Sequence, residues 1–161
     1  MNENKTIRLS IVLDNLRSAH NVGNIFRIAE AVAGAEIICC GYTPAPPHPK
    51  LVKTAMGADS MVPSRIFPTA ADAVRALHEE GVPVYAVETV ENAVDAWDFQ
   101  YPERVAILLG NEALGISADA LAETDGAVSL PMLGEKASIN VGNCAAVVVY
   151  SILKQWKGSA V

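Results

Sequence analysis

Short apolar segments typical of strands alternate with helical patterns along this chain, and the alternation restricts the fold more than any other feature. Strand patterns cover 7–13, 35–40, 61–66, 82–87, 105–109 and 127–130, and helical patterns cover 21–33, 70–80 and 141–153. Gly81 follows the second helix, where a glycine commonly ends one. Strands joined through helices run parallel, so the sequence predicts an α/β fold with a mostly parallel sheet and helices on both faces.

Length and composition exclude several classes of protein for this chain. The 161 residues suffice for one domain with its own core. Cys39, Cys40 and Cys144 have no metal-ligand spacing, so we expect core thiols and no metal site. The chain shows no signal peptide and no apolar run of about 20 residues, which predicts a cytoplasmic protein without a membrane partner. A net charge of -6 argues against a non-specific nucleic-acid coat but allows a local basic patch.

Ligands of parallel sheets bind beyond the carboxyl ends of the strands, which makes the loops at those ends the candidate sites. In the helix after the first strand, one face is apolar and consists of Val22, Ile25, Phe26, Ala29 and Ala33. Arg27 lies on the opposite face, and its guanidinium can reach back toward the helix start, where free N–H groups favour an anion. This loop is therefore either a phosphate site or a solvated arginine with Asn21 as the helix cap.

The loop 110–117 combines glycines with a carboxylate directly after the most apolar strand. Gly110 and Gly115 allow a sharp turn and a close approach of the backbone to a ligand. Glu112 can bind a ligand, hold an arginine, or be an exposed turn residue, and Ser117 can cap a short helix. The loop has neither of the glycine patterns that bind dinucleotides or nucleotide phosphates.

The loop 130–140 brings small polar residues to the start of the last helix. Ser138 is a binding hydroxyl or a helix cap, since the elbow motif of a serine nucleophile is absent. The helix that follows is apolar on nearly every side from Val141 to Leu153, which predicts that it is buried.

The segment 41–60 predicts a long loop with four prolines and three basic side chains, His48, Lys50 and Lys53. Long ordered loops in compact domains are usually functional. His48 is either a substrate contact or general base, or a solvent-exposed residue without a role. Together with Arg17 and Arg27, the lysines can form a local basic patch around the site.

Three motifs in this order resemble the SpoU branch of the SPOUT RNA methyltransferases. The first is Asn21, Gly23 and Arg27. The second is Gly110, Glu112, Gly115 and Ile116. The third joins the strand end Leu130, Pro131 and Met132 to Ser138, Ile139, Asn140 and Val141. The resemblance spans nearly the whole chain.

The resemblance implies a fold, a cofactor and an assembly that spacing alone does not. It implies a deep trefoil knot in the carboxyl-terminal segment, an obligate homodimer, and S-adenosylmethionine bound inside the knot. The cofactor would lie against Val87, Leu109, Gly110, Leu130 and Ile139. We expect residues 1–161 to form a single catalytic domain without an appended RNA-binding domain.

The activity that the resemblance implies is methyl transfer to a ribose 2′-hydroxyl of RNA, with tRNA preferred over rRNA. Arg27 would clamp a neighbouring phosphate and stabilise the developing alkoxide, although direct proton acceptance stays an alternative. Glu112 would orient Arg27 or the ribose, Asn21 would hold its turn, and two further catalytic assignments, Ser138 and Asn140, would hold the substrate or the loop. The rival hypotheses are a non-catalytic module that binds RNA or an adenosine-type ligand, and an RNA base methyltransferase.

Overall fold

The computed structural model describes residues 6–159, and within them seven strands form one sheet. The strands are β1 Leu9–Asp14, β2 Ala35–Cys40, β3 Ser64–Phe67, β4 Val84–Val87, β5 Val94–Asp95, β6 Val105–Leu109 and β7 Gly126–Ser129. The helices are α1 Ala19–Val32, α2 Pro49–Ala55, α3 Ala58–Met61, α4 Ala70–Glu79, α5 Ala118–Glu123 and α6 Val141–Ser159.

Every pair of neighbouring strands is parallel, and the sheet order is β3-β2-β1-β6-β4-β7-β5. Parallel neighbours place the carboxyl ends of all strands at one edge of the sheet. This arrangement confirms the predicted α/β class with a parallel sheet. The trefoil knot stays a prediction of the resemblance.

Two hydrophobic cores cover the two faces of the sheet. On one face, Ile11 and Ile107 of the central strands pack with Phe26 of α1 and Val148 of α6. On the other face, Val12 and Leu108 pack with residues of α4 and α5, including Val74, Leu77 and Ala120. The central strands β1 and β6 are buried on both sides, which explains their continuous apolar sequences.

The segment predicted as a long proline-rich loop contains two short helices instead. His48 caps α2 through its ring, Pro49 occupies the first turn, and Leu51 and Ala55 are buried. Proline is favourable in a first helical turn because its missing N–H has no partner there. Lys50 and Lys53 therefore lie on a helix, and the strand predicted from residue 61 starts later, at Ser64.

The start of α1 also differs from the prediction, because the helix begins at Ala19. Ser18 is its cap, and the Ser18 Oγ accepts a hydrogen bond from the Asn21 N–H at 3.1 Å. Asn21 is therefore inside the first turn and is not the cap. Gly23 faces Thr54 of α2 so closely that a Cβ would overlap the threonine side chain, which explains the glycine on that face.

Helix α6 is buried on only part of its surface in the single chain. Val148, Val149 and Ile152 are fully or almost fully buried, but Val147 is 39% exposed and Tyr150 is 50% exposed. The prediction of burial on nearly every side is therefore wrong for the isolated chain, because α1 and the sheet cover only one side of the helix. No helix among residues 6–159 is long and apolar enough to span a bilayer.

Candidate functional site

A cleft of about 920 Å³ opens at the carboxyl ends of β4, β6 and β7. Its size is within the range of small-molecule sites in proteins. The wall contains all five residues that the resemblance assigns to the cofactor: Val87, Leu109, Gly110, Leu130 and Ile139. Four of the residues predicted near the reacting centre also line it: Asn21, Glu112, Ser138 and Asn140. The cleft thus unites strand ends that are far apart in sequence.

One side of the cleft is a tight, hydrogen-bonded turn of the backbone over residues 110–116, called the knuckle below. The backbones of Asn111 and Gly115 exchange two hydrogen bonds of 3.0 Å, and the Asn111 Oδ1 accepts the N–H groups of Ala113 and Leu114 at 2.8 Å. A Cβ on Gly110 would overlap the backbone of Gly115 and Ile116. Only glycine fits at position 110 while the knuckle is closed.

The carboxylate of Glu112 binds the segment that leads into α1. It accepts hydrogen bonds from the Arg17 N–H at 2.9 Å, the Ser18 N–H at 3.0 Å and the Asn21 Nδ2 at 3.1 Å. Partial burial alone would raise the pKa of the Glu112 carboxyl, but these hydrogen bonds together outweigh it and lower the pKa below its ordinary value. The carboxylate is therefore charged at neutral pH.

This contact makes the start of α1 itself a poor place for a phosphate, while a phosphate contact of Arg27 in its own cleft stays a prediction. A negative charge from Glu112 already lies beside the first turn, so a phosphate at the same place would be repelled. Glu112 contacts the backbone ahead of α1 rather than Arg27, since no ion pair joins the two among residues 6–159.

Two hydrogen-bonded asparagine side chains, Asn21 and Asn140, connect Glu112 to the last helix. The Asn140 Nδ2 donates to the Asn21 Oδ1 at 3.1 Å, and Asn21 in turn donates to Glu112. The Asn140 Oδ1 accepts the Asn143 N–H at 3.1 Å and so caps α6. Asn140 rather than Ser138 is the helix cap, and Ser138 has no hydrogen bond within the described residues. Three loops that carry the three motifs are held together here.

Arg27 lines a second cleft, of about 610 Å³, between α1, the α2–α3 region and α6. Its neighbours in the wall include Met56, Met61, Asn143 and Tyr150. In the part of the chain that the structure describes, the Arg27 guanidinium has no ion pair or hydrogen bond. The two clefts lie on different sides of the first turn of α6, where Val141 and Cys144 line one and Gly142 and Asn143 line the other.

The predicted substrate contacts Arg17, His48, Lys50 and Lys53 line neither cleft. The His48 ring accepts the Lys50 N–H through Nδ1 at 3.2 Å, so this nitrogen already serves as a helix cap. The Arg17, Lys50 and Lys53 residues are exposed. Their roles toward a substrate stay predictions.

The sequence profile of the SpoU rRNA methylase family matches residues 8–150. The chain belongs to this family. SpoU relatives include a tRNA (guanosine(18)-2′-O)-methyltransferase of Thermus thermophilus, which is 35% identical over 91% of this chain and 75% of its own length. The enzyme of the same description from Escherichia coli is 31% identical over 91% of this chain and 63% of its own length.

Solved SpoU structures have the same fold. The A. aeolicus TrmH/SpoU tRNA modifying enzyme superposes with a TM-score of 0.85 at 20% identity, over 96% of this chain and 79% of that one. The SpoU methyltransferase AviRb from Streptomyces viridochromogenes, solved with AdoMet, has a TM-score of 0.80 at 30% identity. The match covers 92% of this chain and 57% of AviRb. The predicted membership of the SpoU branch is confirmed.

Two polar residues in the wall of the cleft at the carboxyl ends of β4, β6 and β7 were not predicted from the motifs: Glu88 and Asn111. Glu88 follows β4 directly and its Oε2 accepts the Ile116 N–H at 3.1 Å, so the rule of strand ends would have found it. Cys144 also lines the cleft, and burial raises the pKa of its thiol to about 11, so it remains protonated. No group of metal ligands occurs among residues 6–159.

Glu112→Gln is expected to lower the free energy of unfolding by about 0.5–1.5 kcal/mol at neutral pH, because an amide donor would face backbone N–H groups at a site that is open to water. The folded-state pKa of Glu112 is lowered, so its contribution is complete above the ordinary glutamate pKa of about 4.3 and is lost as pH falls below it. Urea unfolding of wild type and variant should therefore converge in acid.

Glu91→Gln is the matched control, because Glu91 is exposed and has no hydrogen bond within residues 6–159. Its unfolding should equal wild type at every pH. An equal loss in both variants would contradict the role assigned to Glu112.

Proposed function

We propose that this protein transfers a methyl group from S-adenosylmethionine to a ribose 2′-hydroxyl of RNA. The main support is the cleft at the carboxyl ends of β4, β6 and β7, hereafter the cofactor cleft. In this chain of the SpoU family, its wall contains all five residues assigned to the cofactor. AviRb, which is 30% identical, was solved with AdoMet, and this supports the same cofactor here. Relatives described as 2′-O-methyltransferases support the reaction.

The residues of the cleft suit this cofactor. Val87, Leu109, Leu130 and Ile139 offer apolar walls for an adenine ring, and the carboxylate of Glu88 suits a cationic ligand. When bound, S-adenosylmethionine supplies an electrophilic methyl group. The polar residues Ser138 and Asn140 lie on the same wall, where they can position a substrate ribose.

The proposed role of Arg27 is to bind the RNA backbone. A guanidinium is permanently charged and binds phosphate through two parallel hydrogen bonds. Arg27 lies six residues after Asn21, which is roughly 9 Å along α1, and the first turn of α6 separates the two clefts. A phosphate held by Arg27 would place the adjacent ribose toward the cofactor cleft, where the positive charge also favours a developing alkoxide.

The proposed substrate is tRNA, with rRNA as the other candidate. The relatives from Thermus thermophilus and Escherichia coli are described as acting on guanosine 18 of tRNA. A Streptomyces viridochromogenes relative, 30% identical, is described as acting on uridine 2479 of 23S rRNA. That match covers 91% of this chain and 53% of the relative. That a single domain over 1–161 suffices for the activity is part of this proposal.

We also propose that the active form is a homodimer. Exposed apolar side chains surround the Arg27 cleft, notably Met56, Met61 and Tyr150, which are 74%, 66% and 50% exposed. A second copy on this face would cover them and Val147 of α6. Light scattering should give twice the chain mass of 17.0 kDa, and a mass of one chain would contradict the dimer.

The activity is tested by incubating the protein with methyl-labelled S-adenosylmethionine and either bulk tRNA or rRNA, followed by complete nuclease digestion. A 2′-O-methyl group blocks cleavage of the adjacent bond, so labelled dinucleotides are the expected product. Label in mononucleotides that carry a methylated base would instead identify a base methyltransferase. Binding of RNA without any transfer would identify a non-catalytic module.

A further inference from the structure

Tyr42 is a large aromatic residue that is both exposed and held rigidly. It follows β2 and is 57% exposed. Its N–H donates to the Asn15 Oδ1 at 3.0 Å, and its hydroxyl accepts the Asn111 Nδ2 at 2.9 Å. Gly41 before it has a φ of 62° and lies so close to the Asn15 amide that a Cβ would overlap it. Both ends of the tyrosine are therefore fixed by neighbouring loops.

Tyr42 lies beside the cofactor cleft, just outside its wall. Asn111, which holds the tyrosine hydroxyl, is itself part of the cleft wall. The Asn111 Nδ2 also donates to the Asn15 carbonyl at 2.6 Å, which joins the loops after β1, β2 and β6 at this place. The ring thus stands one hydrogen bond from the wall of the cleft.

Packing does not account for an exposed ring at this place. The other strongly fixed tyrosine, Tyr101, is 7% exposed, and its hydroxyl donates to the Ala96 carbonyl at 2.9 Å. Tyr42 keeps a comparable hydrogen bond but leaves most of its surface in water. A fixed exposed ring loses little conformational entropy when a flat ligand stacks on it.

Because this chain is acidic, a contact with RNA that does not depend on positive charge would add affinity that phosphate contacts supply only weakly. The net charge of -6 provides little general attraction to phosphates. Stacking of a base on an aromatic side chain needs no positive charge and is tolerant of sequence, because every base has a π-face.

We infer that the Tyr42 ring stacks on an unpaired base of the RNA substrate beside the cofactor cleft. The inference rests on the proposed function and names the recognition element of that same site. A base inside a duplex has no free face, so the inference requires a substrate nucleotide in a loop, bulge or single strand.

The test compares Tyr42→Ala, Tyr42→Leu and Tyr42→Phe in binding and methylation of bulk tRNA, with rRNA in parallel. Removal of the ring in the alanine and leucine variants should raise the Kd and KM for RNA roughly 5- to 150-fold. Tyr42→Phe keeps the ring and should stay within about threefold of wild type. S-adenosylmethionine binding should not change in any of them. All three lose the hydrogen bond between the tyrosine hydroxyl and Asn111, so a small fall in Tm is expected in each, including Tyr42→Phe.

The salt dependence separates stacking from phosphate binding. The slope of log Kd against log salt should be the same in wild type and Tyr42→Ala, because no phosphate contact is removed. Trp97→Ala is the matched control, since Trp97 is 59% exposed but, within residues 6–159, neither lines the cleft nor forms a hydrogen bond to a residue that does. It should leave the Kd for RNA unchanged.

Tyr42→Leu binding as tightly as wild type would overturn the stacking inference, and so would an equal loss in Trp97→Ala. A smaller salt slope in Tyr42→Ala would also overturn it. If wild type methylates RNA while Tyr42→Ala is unaffected, only this inference fails. If wild type neither binds nor methylates tRNA or rRNA, the proposed function fails and the inference with it.

Discussion

Arg27→Ala is expected to lower kcat for RNA methylation by roughly 100-fold or more while S-adenosylmethionine binds as in wild type. We expect kcat to fall without a change in cofactor affinity because Arg27 lines its own cleft and is absent from the wall of the cofactor cleft. Single-turnover methylation of tRNA gives the rate, and calorimetry gives the cofactor affinity. Arg27→Lys keeps the charge but loses the planar pair of donors, so we expect only partial recovery.

Arg75→Ala is the matched control for this experiment. Arg75 is also exposed, but it lies on α4, on the other face of the sheet, where it pairs with Asp72. Its replacement should leave methylation unchanged. A folded Arg27→Ala protein that no longer binds S-adenosylmethionine would contradict the phosphate-clamp role, and one with wild-type transfer would contradict any role in the reaction.

Gly110→Ala is expected to weaken S-adenosylmethionine binding at least about tenfold and to destabilise the fold. The new methyl group would overlap the backbone of Gly115 and Ile116, and rotation of a side chain cannot relieve that overlap. The knuckle must open instead, which displaces the cleft wall. Overpacking of this kind costs about 1–3 kcal/mol, a fall in Tm of roughly 3–10 °C for a domain of this size.

Gly134→Ala is the control for Gly110→Ala, because a Cβ at Gly134 would meet nothing within 4 Å. It lies in the loop between β7 and α6, outside the cleft wall. Calorimetry and thermal unfolding of this variant should match wild type. Wild-type affinity in Gly110→Ala would mean that the knuckle does not shape the site.

The regular elements could be predicted where burial gives them a clear pattern. β2 and β6 have the bounds predicted from the sequence, Ala35–Cys40 and Val105–Leu109, because strands covered on both faces are continuous apolar runs. Helix α4, Ala70–Glu79, ends one residue before its predicted end. The prediction of a loop over 41–60 is wrong because prolines favour loops on average, whereas Pro49 stands in the first turn of α2.

The wall of the cofactor cleft could also be anticipated, because parallel strands bring their carboxyl ends together and the motifs stand at those ends. The partners within the site could not. Glu112 was expected to orient Arg27 or a ribose, but it accepts hydrogen bonds from the Arg17 and Ser18 N–H groups. Hydrogen bonds between loops more than 90 residues apart depend on distances that no local pattern contains.

By itself, the sequence determined the parallel α/β architecture, the strand ends that form the cleft and the family to which the chain belongs. Periodicity and local motifs suffice for these because they reflect burial and the chemistry of single loops. Only the tertiary structure decided that Glu112 occupies the start of α1, that Arg27 lines a separate cleft, and that Tyr42 stands fixed beside the cofactor cleft. Each of these depends on which distant loops meet, and packing of the whole sheet settles that.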